Sequence, residues 1–121
     1  MAFPASEDVI ARAEGTLGRR FPECLRTRLA RSNGGSISTA EDDWLLIPVR
    51  DHSDRKRLAR TANDMVYETA QARKWHGFPE DAIAVAANES GDWLVLLPGT
   101  DDVHLWNHET EAVTVVEVDW A

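Results

Sequence analysis

GDWLVLLPGTDDVHLWNHET, residues 91–110, decides the fold. Its first apolar run, 92–97, is followed by Pro98-Gly99-Thr100-Asp101-Asp102 and then by a second run, 103–108, in which apolar and polar residues alternate. Two β-rich runs joined by a short Pro/Gly/Asp link describe a hairpin, because those link residues supply the backbone angles that reverse a chain. The same logic extends in both directions. Glu89-Ser90-Gly91 leads back to a run at 82–87, and Glu109 to Glu111 leads forward to 112–119. Links of hairpin length pair neighbouring strands antiparallel, so the second half of the chain reads as a meander.

The first half has a helical period. Ser6 ahead of Glu7 and Asp8 has the character of an N-cap with an acidic first turn, and Val9, Ile10, Ala13 and Leu17 then share one helical face up to Gly18. Pro22 stands where a helix start tolerates proline, Leu25 and Leu29 are four apart, and Asn33-Gly34-Gly35 supplies a left-handed stop. WLLIPV, 44–49, predicts a strand that Pro48 would place at or near a sheet edge, and SISTA, 36–40, is a weaker strand candidate. Residues 54–74 contain no glycine or proline, and Leu58, Ala62, Met65, Val66, Thr69 and Ala70 keep a helical spacing, which predicts one long amphipathic helix. The expected class is α+β: N-terminal helices packed on a mainly antiparallel meander of about five to six strands, in a single domain over 1–121.

A chain of 121 residues with 43% hydrophobic content can bury a core without staples, and its lone Cys24 forms no internal disulfide, which predicts a reducing, cytoplasmic setting. MAFPASEDVI lacks a basic stretch followed by an apolar one, and no apolar run approaches the ~18 residues of a membrane helix, so neither export nor a membrane partner is expected. The net charge of −8 is polarised: residues 1–60 hold 11 basic and 9 acidic residues, residues 61–121 hold 2 and 12, and no Lys or Arg follows Lys74. Such a field repels nucleic acid and attracts basic proteins.

His104 and His108 look like a ligand pair, yet on a strand they lie about 13 Å apart, too far to share one zinc. His52 and His76 fall in loops, no metal-binding spacing is present, and neither metal nor cofactor is expected. Trp106 shares a face with the two histidines by alternation, so it either packs beneath a helix or stands exposed as a binding anchor. Cys24 neighbours the Leu25/Leu29 face and reads as a half-buried, inert thiol. Asp42-Asp43 and Asp101-Asp102 have turn contexts and no nucleophile elbow or phosphate loop occurs, so no catalytic residue is assigned. The basic run DRKRLAR, 54–60, has no interleaved aromatic and reads as a solvated helix face.

These motifs together resemble the SUKH superfamily, which joins fungal cell-wall-assembly regulators with bacterial immunity proteins. The similarity is carried by Glu14, Leu17, Gly18, Phe21, Pro22, Asn33, Gly34 and Gly35, then by Gly91-Asp92-Trp93-Leu94-Val95-Leu96 and Trp106-Asn107-His108-Glu109-Thr110. The chain departs from the pattern at Leu97-Pro98 and at Leu25. The resemblance implies a partner-binding domain without catalytic residues. The expectation is an immunity protein that occludes the active site of a basic, cytoplasm-acting toxin such as a nuclease, through Asp101, Asp102, His104, Trp106, Glu109 and Glu111. A regulatory scaffold with another cellular partner is the alternative, and a small hydrolase or ligand-binding enzyme using Cys24 or the histidines is a second.

Overall fold

Ser6 starts the first helix as a side-chain cap: its hydroxyl accepts from the Val9 amide at 3.3 Å, and α1 runs Glu7–Leu17. Gly18, at φ +84°, closes it by turning left-handed, which only glycine does without strain. After Pro22, α2 spans Glu23–Arg31 and buries Leu25, Arg26, Arg28 and Leu29. Cys24 faces solvent on this helix, contrary to the half-buried thiol expected, because it lies off the Leu25/Leu29 stripe. Asn33 then replaces a missing strand partner: its amide donates to the Val49 carbonyl at 2.9 Å and accepts from the Val49 amide at 2.8 Å.

The computed structural model describes residues 2–121. Six strands follow the helices in chain order: β1 Ser36–Ser38, β2 Asp43–Leu46, β3 Ile83–Ala87, β4 Trp93–Leu96, β5 Val103–Trp106 and β6 Val113–Val116. They form one antiparallel sheet in the order β1 to β6, and the sheet curls until Ser38 of β1 meets Asp119 beyond β6. Two backbone hydrogen bonds, 3.2 Å and 2.8 Å, make that seam. The fold is α+β as expected, with the helices on a meander.

Two local expectations fail for physical reasons. Pro48 does not mark a sheet edge: β2 lies between β1 and β3 and ends at Leu46, and the Pro48 carbonyl, free of any ladder, accepts from Met65. The single helix over 54–74 is two, α3 Arg55–Arg60 and α4 Met65–Ala72. The break needs no glycine or proline because Asp64 caps α4, accepting from the Tyr67 amide at 2.8 Å, while the Thr61 hydroxyl accepts from the Asp51 amide. The basic run remains largely a surface: guanidinium carbons of Arg57 and Arg60 lie 4.6 and 5.0 Å from the Phe3 ring centroid.

Every residue from Ile83 to Ala86 and from Trp93 to Leu96 is buried, so both faces of β3 and β4 are covered, with α4 packed on β3. A bulge between Ala84 and Ala86 releases the Ala84 amide, which donates to Thr69 Oγ1 of α4 at 3.0 Å. Between α1 and α2 sits an ion cluster, buried at Arg26 and Glu14 and open to solvent at Glu7. Arg26 donates from Nε and Nη2 to Glu14 at 2.9 and 3.0 Å and forks onto Glu7 at 3.0 and 2.5 Å. Glu14 also accepts from the Phe21 amide at 2.6 Å, fixing the link between the two helices.

Burial raises the Glu14 carboxyl, but the hydrogen bonds from Arg26 and Phe21 outweigh it and hold the group below its ordinary value of 4.5. A carboxyl lowered in the folded state stabilises the fold fully above its unfolded value and loses that contribution as pH falls through the lower folded value. We therefore predict that Arg26→Met, which strands Glu14 in the interior, lowers stability by roughly 3–5 kcal/mol in urea titrations at neutral pH. The deficit should narrow as the pH is taken below 4.5, where wild type also begins to lose the pair.

Candidate functional site: an acidic end of the sheet

Alternating strand direction sorts the turns by end. The β1–β2, β3–β4 and β5–β6 turns leave one end of the sheet, and the β4–β5 turn leaves the other. The first end therefore gathers Glu41, Asp42 and Asp43 with Glu89, Glu109 and Glu111, all exposed. Asp101 and Asp102 fall at the opposite end, so the surface expected from sequence is split by the length of β5.

Polar side chains tie the three turns of the acidic end together. Asn88 donates Nδ2 to Asp42 Oδ2 at 2.8 Å, joining the β1–β2 and β3–β4 turns. Asp92 takes the next link: its Oδ1 lies 2.7 Å from His108 Nδ1 and accepts from the His108 amide at 3.1 Å, joining the β3–β4 and β5–β6 turns. Burial raises the Asp92 carboxyl, yet the side-chain and backbone hydrogen bonds of His108 and the amide of Asn88 bring it below its ordinary value. Each turn is also shaped from within. Asn88 Oδ1 accepts from the Ser90 and Asp92 amides, and Asn107 Oδ1 accepts from the Glu109 and Thr110 amides.

The motif residues Gly91-Asp92 and His108 thus meet in space. Gly91, at φ +93°, makes the left-handed turn that favours glycine and packs against the His108 ring.

An aromatic platform adjoins these turns. After α4 the chain runs Trp75-His76-Gly77-Phe78 across β5: Trp106 donates Nε1 to the Gly77 carbonyl at 3.1 Å, and the Phe78 ring meets Trp106 edge-on at 5.3 Å. Trp75 lies 6.5 Å from Trp106 and 5.8 Å from His108, both edge-to-face, yet keeps 47% of its surface exposed. His76 Nδ1 lies 3.2 Å from Glu111 Oε2, bringing a carboxylate beside the platform.

Of the residues named from sequence, Glu109 and Glu111 belong to this end. Trp106 is 0% exposed and offers no surface to a partner: the reading of it as an exposed anchor gives way to the core reading, because Trp75, Gly77 and Phe78 cover it. His104 is partly buried between Val95 and Val115, with its Nδ1 buried and unpartnered. Asp101 is held by Arg19 Nη2 at 2.9 Å, while Arg19 Nη1 donates to the carbonyls of Leu97 and Thr100, a clasp between the end of α1 and the β4–β5 turn. Trp75 was missed. Its sequence signal is an aromatic-His-Gly-aromatic run placed directly after the last basic residue, Lys74.

Among the described residues no three His, Cys, Asp or Glu side chains converge as a metal site would require, and no helix is long and apolar enough to cross a membrane. At Gly77, φ +80°, a Cβ would fall on the Glu111 carboxyl, so a side chain there must push Glu111 aside. Gly77→Ala should cost about 1–3 kcal/mol from the left-handed backbone and displace Glu111 from His76. A thermal melt reads the first effect, and the imidazole chemical shifts of His76 in NMR spectra of wild type and variant read the second.

The family model described as SMI1 / KNR4 family (SUKH-1) matches residues 4–121, which takes in both helical and strand motifs. Comparison with curated proteins gave no match, nor did comparison with solved structures. With the family pattern running through nearly every described element, the chain belongs to the SMI1 / KNR4 family (SUKH-1).

Proposed function

We propose that this chain is an immunity protein: a non-catalytic domain that binds a cognate, cytoplasm-acting toxin and blocks its active site. The observation that carries the reading is the exposed Trp75 standing beside three tied turns that project Glu41, Asp42, Asp43, Glu89, Glu109 and Glu111 from one end of the sheet. Family membership supports the same reading, since the resemblance implies bacterial immunity proteins within this superfamily. A half-exposed tryptophan on a tied platform supplies contact area at little entropic cost, and a rim of carboxylates steers a positively charged partner toward it. A nuclease fits best as the toxin, because a groove that binds phosphate must be basic. Covering that groove with carboxylates would exclude nucleic acid by competition.

Asp101 and Asp102 drop out of the proposed contact, as do Trp106 and His104, and Trp75 replaces them as anchor. The platform is tied on both sides, so little rearrangement is needed before contact.

The test co-expresses the chain with the C-terminal domain of a toxin-like protein encoded beside its gene and scores growth and binding. Rescue by the wild type is expected. Trp75→Ala should weaken binding by about 2 kcal/mol or more, some thirtyfold, with folding checked by a melt because Trp75 also rests on Trp106. Glu109→Lys with Glu111→Lys should slow association and flatten its salt dependence, whereas Asp101→Lys with Asp102→Lys should leave both near wild type. Absence of rescue by the wild type removes the immunity reading. Loss of binding on changing Asp101 and Asp102 alone would move the contact to the other end of the sheet.

A further inference from the structure

One edge of the sheet remains open. β6 pairs with β5 on one side only, and its other side meets β1 through the single Ser38–Asp119 bridge. In an antiparallel pair, alternate residues bond to the neighbour and the residues between them point their backbone groups away. The Asn107 amide donates to the Ala112 carbonyl, so 112, 114 and 116 bond toward β5 and 113, 115 and 117 point outward. Asp119 has the same parity, and both of its backbone groups do bond outward, to Ser38. Val113, Val115 and Glu117 therefore present a row of N–H and C=O groups to solvent. Side chains do not screen it: Val113 is 38% exposed and Val115 60% exposed.

We infer that the β6 edge takes up an extended, basic segment of the partner protein as a seventh strand. The inference rests on the reading that the partner is a basic protein, and it specifies how that protein engages. Charge selects the occupant. The open row, 113 to 117, ends on Glu117 and is flanked by the carboxylates of Glu111 and Asp119, with no Lys or Arg after Lys74 in the chain. A second copy is the wrong partner: twofold pairing centred on Val115 sets Glu111 against Asp119 of the other copy, and pairing centred on Glu117 sets that residue against itself, and like charges placed opposite one another destabilise a sheet. An incoming strand with lysine or arginine near those positions reverses the sign of both contacts. The edge also starts at the acidic turns, so a segment laid along it is continuous with the Trp75 platform.

Hydrogen exchange followed by NMR tests the inference, with a short capped peptide alternating lysine and valine as the probe. The amides of Val113, Val115 and Glu117 should gain protection of about tenfold or more with this peptide. They should gain none with its glutamate–valine counterpart, and none with a lysine peptide N-methylated at alternate residues. Val115→Pro removes one outward N–H and should abolish the protection while leaving the melt close to wild type. Thr114→Pro, which removes an N–H bonded to β5, should destabilise the fold itself. Failure of the lysine peptide to bind, binding without protection of these amides, or equal protection by the glutamate peptide would each overturn the inference. So would a concentration-dependent dimer abolished by Val115→Pro. Growth rescue without edge protection in the toxin complex removes strand addition and keeps the immunity reading. Edge protection by the peptide without rescue does the reverse.

Discussion

Everything at the candidate site follows from the alternation of direction in an antiparallel meander. Strands joined by short turns must reverse, so every second turn emerges at the same end of the sheet. In this chain those turns are the ones that contain Glu41 and Asp42, Glu89, and Glu109 and Glu111. Carboxylates far apart in sequence thereby become neighbours without any long connection. The same rule sends Asp101 and Asp102 away from them, although they lie closer to Glu109 along the chain than Asp42 does.

Bringing like charges together raises their mutual repulsion, and the turns are held by groups that offset it. Asp92 is consumed by His108, Asp42 accepts from Asn88, and Glu111 faces His76. What remains outward is acidic, while what ties the turns is amide and imidazole. Beneath them the Trp106 indole is fixed by the Gly77 carbonyl and covered by Phe78 and Trp75, so the platform is built on the core and not on a mobile loop. The Glu14–Arg26 pair, buried and extended to the exposed Glu7, performs the corresponding task for the helices at a distance from these turns. There is a division of labour among the charges: Glu7, Glu14 and Arg26 hold α1 to α2, and the carboxylates of the three turns stay available at the surface.

The sequence was legible where the determinant is local. Ser6 and Gly18 bound α1 as read, and the turns around Gly91 and Pro98 separate strands where the composition said they would. The break at Asp64 was hidden because a side-chain cap interrupts a helix without altering the apolar spacing, and the site of Pro48 was misread because a strand can simply stop before a proline. The candidate site was legible only in part. Glu109 and Glu111 were identified from charge, but the partners of Asp92 and Trp106 lie 16 and 29 residues away, and no local pattern carries such pairings. Trp75 and Trp106 have the same side chain and opposite exposures: one covers the other, and that order is settled by packing across β5.

The central claim is that the acidic end of the sheet is the contact surface. Mapping amide hydrogen exchange on the complex with the toxin domain tests it most directly. The account predicts protection on 41–43, 75–78, 89–92 and 107–113, with 97–102 unchanged. Protection confined to 97–102 or to the α3 surface, with the Trp75 platform exchanging as in the free chain, would contradict it.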